Sequence, residues 1–303
     1  MTGIRTLTDD VVGTITIGDL TVRRLGFGAM RIWPGVSGAG PRDAHGRPDR
    51  GLAHALCRRV VERGVTFIDT ADIYGFGGSE EILGEALHPY APDLVITTKA
   101  GYEPRALNPG ETVLPSNGRP DHIRRQCEQS LRKLKLEAIP LYQCHVPDPD
   151  VPYADTIGAF ADLQREGKVR HVGVSNVTLD QLRIAQSVCS IVSVQNRYNL
   201  GVRTSDDLLR VCEAEGIAFL PFRPMMDETQ AIGLLLRELA AAHDALPQQI
   251  VLAWMLARSP VLLPIPGTSD SRHLDLNVDA AWIRLSDAEI ASISRAVARD
   301  AGS

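Results

Sequence analysis

Short β-branched runs and amphipathic stretches alternate along nearly the whole chain, and this alternation limits the possible folds more than any other feature. Eight runs read as strands: Leu25 to Ala29, Val65 to Ile68, Leu94 to Lys99, Ile139 to Gln143, Val169 to Val174, Ile191 to Val194, Ile217 to Phe222 and Val261 to Ile265. Stretches with helical periodicity separate them, among them Leu52 to Arg63, Glu81 to His88, Asp121 to Lys133, Ala154 to Arg165, Leu179 to Gln186 and Ser205 to Glu215. Two more, Glu228 to His243 and Pro247 to Arg258, precede the eighth run, and Asp270 to Asp279 and Asp287 to Ala298 close the chain. Strands joined through helices pair in parallel, because a parallel pair needs a long crossover. Eight such units in 303 residues predict one domain, 1–303, folded as an α/β protein of the (β/α)8 TIM-barrel class. No G-x-G-x-x-G follows a strand and opens a helix, so a dinucleotide-binding doubly wound sheet lacks its fingerprint.

Ahead of the first barrel strand, Thr14 to Ile17 and Leu20 to Arg24 flank Gly18-Asp19 and read as an N-terminal β-hairpin. Such a hairpin is placed to plug the barrel end away from the active site. Residues 1 to 10 are polar and read as frayed. Two connections, Trp33 to Asp49 and Gly101 to Arg119, exceed an ordinary βα loop and are expected to serve function. A net charge of −5 with no basic block gives no nucleic-acid footprint. The five cysteines, Cys57, Cys127, Cys144, Cys189 and Cys212, show no metal or redox spacing and read as reduced thiols. Neither a signal peptide nor a bilayer-length apolar run is evident, so a cytoplasmic protein without membrane contact is expected.

Three consecutive strands end in titratable residues: Asp69, Lys99 and His145, with Tyr74 in the loop after Asp69. The C-terminal strand ends of a parallel barrel open onto one face, where barrel enzymes do their chemistry. A free tyrosine titrates near ~10, and a neighbouring ammonium lowers that value. Lys99 is the candidate ammonium, Asp69 its counterion, and His145 a group to orient a carbonyl or relay a proton. The set suits protonation of an oxygen while hydride reaches the attached carbon.

At these residues the sequence resembles the aldo-keto reductase family. The matching pieces are Asp69-Thr70-Ala71-Asp72-Ile73-Tyr74-Gly75, Thr98-Lys99, Tyr142-Gln143-Cys144-His145, Gly173-Val174-Ser175-Asn176, Val194-Gln195 with Tyr198, and Ile265-Pro266-Gly267-Thr268-Ser269 with Asn277. They occur in the family's order and cover nearly the whole chain. Gly26 to Met30 and Leu87 to Tyr90 look similar to bacterial pyridoxal-reductase-like members. The resemblance implies a metal-free carbonyl reductase that uses NADPH, or in some members NADH, with Tyr74 as general acid and Asp69, Lys99 and His145 completing a tetrad.

Ser175, Asn176 and Gln195 then correspond to residues that hold the nicotinamide carboxamide, and Phe222 to the aromatic that stacks on its ring. Gly267, Thr268 and Ser269 match a phosphate site after the last strand, and Asn277 an adenine contact. Gly28, Met30, Pro224 and Ile265 complete the implied cofactor set. Departures are Leu276 where many members are acidic, Gly267 and His273 where many NADPH users carry Lys and Arg, and Arg223 in place of a usual Ser. Arg272 is a candidate for the 2′-phosphate, and Arg223 with Met225 and Met226 for a basic rim that meets the pyrophosphate or an anionic substrate group. Trp33 reads as a substrate-pocket wall, with Tyr102, Arg105 and Val146 to Asp148 as further loop candidates. The expected partner is a small carbonyl compound, on a monomer or weak homo-oligomer. A nicotinamide-binding regulatory subunit with little turnover and a dedicated reductase of a sugar or natural-product intermediate stay open.

Overall fold

The computed structural model describes residues 5–33, 40–104, 114–225 and 230–300. Arg105, Met226 and the first residues of the Glu228 to His243 stretch lie outside the described residues. The chain opens with a four-residue helix α1 (Asp9–Val12), then the hairpin β1 (Thr14–Ile17) and β2 (Leu20–Arg23). The barrel units are β3 (Phe27–Gly28), α2 (Arg50–Glu62), β4 (Phe67–Asp69), α3 (Gly78–Leu87), β5 (Val95–Ala100), α4 (Pro120–Leu134), β6 (Ile139–Cys144), α5 (Tyr153–Arg165), β7 (Val169–Ser175), α6 (Leu179–Val188), β8 (Ile191–Gln195), α7 (Asp206–Glu215) and β9 (Ala218–Phe219). Helices α8 (Gln230–Ala242), α9 (Pro247–Arg258), α10 (Ser271–Asp279) and α11 (Asp287–Asp300) follow.

Strands β3 to β9 form one seven-stranded sheet in sequence order, and every neighbouring pair is parallel. The eighth run, read from sequence as a strand, is instead held by a single parallel bridge from Leu262 to Phe219. On one side it bonds reciprocally: Phe219 N donates to Val261 O and Leu263 N to Phe219 O. On the other side it only accepts, from Gly26 N through Pro264 O and from Gly28 N through Pro266 O. Pro264 and Pro266 have no N–H to give back, so a ladder cannot form there and the ring closes through carbonyls alone. Closure also needs bare backbone at Gly28 and Gly267. A Cβ on Gly28 would lie 2.8 Å from Ile265 O, and one on Gly267 2.6 Å from Gly28 O.

The helices bury one stripe each. In α4, Pro120 occupies the first turn, where its missing N–H costs nothing. Ile123, Cys127, Leu131 and Leu134 are buried at three- and four-residue spacing, while Arg124, Arg125 and Arg132 lie outside that stripe. Each such leucine or isoleucine contributes about 1.5–3 kcal/mol by leaving water. Helix α6 starts on a reciprocal cap in which Thr178 and Gln181 each bind the other's backbone N–H.

The hairpin plugs the barrel's N-terminal end: Ile15, Ile17 and Val22 join one apolar cluster with Phe67, Val95, Leu141 and Leu263. The reading of residues 1 to 10 as frayed is corrected for part of that stretch. Leu7 is fully buried, and its N–H donates to Arg63 O at 2.9 Å. All five cysteines are unpaired. No helix among the described residues is long and apolar enough to cross a membrane.

Candidate active site

With one end plugged, the other receives the strand ends. The sheet register sets Asp69 beside Thr97 and Lys99 beside Gln143. Alternation along β5 turns Thr97 and Lys99 to one face and Thr98 to the other. Lys99 Nζ donates to Asp69 Oδ2 at 2.6 Å and to Thr70 O at 2.9 Å. Lys99 is 0% and Asp69 3% exposed. A buried ion pair survives its desolvation cost only when its other lone pairs are met. Asp69 Oδ1 is met twice, by Gln195 Nε2 at 2.9 Å and Gln143 Nε2 at 3.3 Å.

The segment after β4 keeps bonding to β5 beyond the strand, through Thr70 N to Thr97 O and Asp72 N to Lys99 O. That registration delivers Tyr74. Lys99 Nζ lies 5.1 Å from the centroid of its ring. Burial raises the Tyr74 phenol above its ordinary value, and the Lys99 charge and hydrogen bond oppose that rise without cancelling it. The expectation of a phenol more acidic than usual is therefore corrected: Tyr74 keeps its proton at neutral pH, and Lys99 limits how far burial raises it. Burial also disfavours the Lys99 ammonium, but Asp69 and Tyr74 outweigh it and hold Lys99 above its usual value.

His145, just past β6, stands edge-on to two tyrosine rings, with centroids 6.0 Å from Tyr74 and 4.8 Å from Tyr102. Burial and then the Lys99 charge push its imidazole well below the usual range, so it is neutral. Asn176 adopts φ +56°, a left-handed conformation that asparagine tolerates. From there its Nδ2 donates to His145 O at 2.9 Å and to Ser175 Oγ at 3.1 Å.

These groups border a cavity of about 1200 Å³. Asp69, Tyr74, Tyr102 and His145 line it together with Ser175, Asn176, Gln195, Phe222 and Arg223, and the hydrogen bonds from Gln195 to Asp69 and from Asn176 to His145 O join the two groups. Gly28, Ile265 and Gly267 contribute at the closing seam, with Thr268, His273 and Asn277 beyond it. A family model described as "Aldo/keto reductase family" matches residues 24–298. The chain belongs to that family.

Among relatives of this aldo/keto reductase, an uncharacterised oxidoreductase of Schizosaccharomyces pombe is 41% identical over 282 residues, covering 93% of this chain and 89% of the relative. Pyridoxine 4-dehydrogenase of Escherichia coli is 37% identical over 296 residues, 95% of this chain and 99% of the relative. The crystal structure of an aldo/keto reductase from Klebsiella pneumoniae in complex with NADP and acetate superposes with a TM-score of 0.77 at 26% identity, covering 93% of this chain and 94% of that one.

Met30 and Pro224 also line the cavity of the reductase, as does Met225. Trp33, Ser269 and Arg272, expected there, do not line it, and neither do the loop candidates Val146 to Asp148. Trp33 is turned away and lies over the Tyr74 loop, where a Cβ on Gly75 or Gly78 would fall 2.3 Å from its ring. The Arg50 guanidinium covers it at 5.6 Å. It braces the loop instead of walling the pocket. Arg272 is spent on Asp270, Nη2 to Oδ2 at 2.8 Å. Asp270 also caps α10 by accepting from Arg272 N at 2.7 Å, which places the helix start after Ser269. Ser269 and Arg272 are both absent from the cavity lining, and His273 is the basic side chain that α10 contributes to it.

Sequence reasoning missed Gln143, Arg31 and Arg197. Gln143 was legible as the neighbour of Lys99 on the next strand. Arg31 follows Met30 in the turn after β3, and Arg197 follows Gln195 by two residues. Both line the cavity.

Proposed function

We propose that this protein reduces an aldehyde or ketone to an alcohol with NADPH, Tyr74 acting as general acid. The observation that carries the reading is the Lys99 ammonium set between Asp69 Oδ2 at 2.6 Å and the Tyr74 ring. Tyr74 keeps its proton until a substrate oxygen needs it. As that proton leaves, the phenolate faces Lys99 and its charge is offset. Asp69 holds the lysine in place and is itself fixed by Gln195 and Gln143, so no side chain has to reorganise during transfer. Neutral His145 has an N–H to give the same oxygen, which fixes the carbonyl beside Tyr74.

The donor set fits a nicotinamide dinucleotide. Gln195 spends its amide nitrogen on Asp69, which leaves its carbonyl oxygen to accept from a carboxamide. The Ser175 hydroxyl is the complementary donor. Phe222 is a half-buried residue of the cavity lining. Arg197, Arg223 and His273 supply positive charge for phosphates, with Thr268 and Asn277 beside them. A bound reduced nicotinamide supplies the hydride. The NADP complex of the Klebsiella neighbour supports NADPH over NADH, as do the basic residues around the cavity.

The E. coli relative supports testing pyridoxal first. Purified protein is given pyridoxal, simple aldehydes and ketosugars, and NADPH absorbance is followed, with Tyr74→Phe as control. Turnover that Tyr74→Phe abolishes, with cofactor still bound, is the expected result. Tight NADPH binding without turnover on any carbonyl favours a regulatory subunit, and normal turnover in Tyr74→Phe removes the general-acid role.

A further inference from the structure

Behind the Tyr74 loop, on the helix side of β5 and β6, lies a second set of buried polar groups that the proton transfer above does not use. Asp72 is 3% exposed, and Glu80, Ser130 and Tyr142 are 0% exposed. Thr98 and Tyr142 are paired across the two strands, Glu80 comes from α3 and Ser130 from α4. Both carboxylate oxygens of Asp72, Oε2 of Glu80, Oγ of Ser130 and the Tyr142 hydroxyl have no hydrogen-bond partner.

Two carboxylates buried in reach of each other's charge do not both ionise. Their surroundings separate them. Burial raises the Glu80 carboxyl as well, but Glu80 Oε1 accepts from Thr98 Oγ1 at 2.7 Å, a donor that supports its charge and opposes that rise. Asp72 has no donor on either oxygen. The charged groups facing Asp72 are Glu80 from α3, Lys133 from α4 and Lys99 from β5, and the Tyr142 phenol faces it from β6. The Lys133 amine is engaged with Phe76 O at 3.1 Å. Burial and then the Glu80 charge hold the Asp72 carboxyl well above the usual carboxylate range.

We propose that Asp72 is carried as a neutral carboxylic acid beside an ionised Glu80, and that in this form it positions Tyr74 against Lys99. Its backbone N–H holds the Lys99 carbonyl at 3.1 Å, three residues after Asp69 and two before Tyr74. Ionising it would add a second carboxylate near Lys99, and that charge would compete with the phenolate Tyr74 must become. The inference rests on the general-acid reading of Tyr74.

The test uses Asp72→Asn, which copies a neutral acid, and Asp72→Ala. We expect Asp72→Ala to lose about tenfold to a hundredfold in kcat, as displaced reacting groups do, with NADPH affinity unchanged. Asp72→Asn is expected to restore kcat to within about twofold of wild type and to move the alkaline limb of the kcat–pH profile upward. Urea unfolding without cofactor or carbonyl gives an independent readout. Above the ordinary aspartate value of about 3.9 the native protein keeps a proton at Asp72 that the unfolded chain releases, so Asp72 contributes a fall in stability as pH rises. Asp72→Asn should flatten that fall, and this arm decides the matter even where Asp72→Ala does not fold. An Asn variant as impaired as the Ala variant, or one with the wild-type stability slope, overturns the proposal. Normal turnover in Tyr74→Phe would remove the general-acid reading and leave the unfolding result to report on Asp72 alone.

Discussion

In its charges the cavity has two sides: at Asp69 they are already paired within the protein, whereas Arg197 and Arg223, which also line it, make no ion pair among the described residues. Asp69 and Lys99 are buried, at 2.6 Å, with Gln143 and Gln195 closing the remaining valences. Arg197 and Arg223 are exposed. The first side is organised before any ligand arrives, which lowers the reorganisation that proton transfer requires. The second keeps guanidinium groups in water, where the phosphates of the proposed cofactor would meet them at small desolvation cost. On the proposed function, proton transfer and cofactor capture ask for opposite treatments of charge, and the paired and unpaired groups are the candidates for each.

Substitutions on the two sides should therefore fail differently. The largest effect is expected from Tyr74→Phe: about a thousandfold lower kcat, with NADPH affinity by fluorescence titration unchanged. A comparable loss of NADPH binding would show that the sides are not separable. Asn176→Ala cuts the tie between the His145 carbonyl and Ser175, and so touches both sides. We expect kcat to fall about tenfold to a hundredfold and KM for NADPH to rise as well; a change in only one constant would break the link assigned to Asn176.

Removing a rim guanidinium, by Arg197→Gln or Arg223→Gln, costs about 1.5 kcal/mol, or roughly tenfold in KM for NADPH. The loss should shrink at high salt, with kcat unaffected, and an unchanged KM would remove that arginine from cofactor capture. The smallest effect is a pH dependence. His145 is neutral when folded, so kcat/KM should not lose an essential proton state as pH falls through about 6.5. Because the unfolded chain takes up a proton there and the native imidazole does not, His145 contributes a decline in folding stability below that pH, opposite in sign to the Asp72 contribution. His145→Gln should weaken this decline in urea titrations at stepped pH.

The paired side was the more legible in the sequence, for a physical reason. Asp69, Lys99 and His145 end apolar runs, and a charge at the end of a buried strand needs a purpose. Gln143 and Asp72 were harder to weigh, since a polar residue inside a motif gives no hint of its partners until the register is known. The eighth strand was named from its apolar run, although the prolines at 264 and 266 already argued against a full ladder. Trp33 was placed in the pocket because a loop tryptophan after the first strand has no visible packing partner; the notch at Gly75 and Gly78 lies more than forty positions away. Arg272 reads from sequence as a phosphate ligand, but Asp270 two residues earlier takes both its backbone N–H and its guanidinium. The Tyr74 shift was given the wrong net direction because sequence supplies the lysine but not the depth of burial.

The one-sided closure between the first strand and the proline-bearing segment has a mechanical consequence. Gly26 and Gly28 donate across that seam and receive nothing in return, so loosening it sacrifices fewer bonds than parting two laddered strands. Amide exchange should register this as faster deuterium uptake at Gly26 and Gly28 than at Ile96 or Thr98. The stave most easily sprung from this cask is the one bordering the cavity at Ile265 and Gly267, so the wall can yield there while the Asp69–Lys99 pair stays fixed.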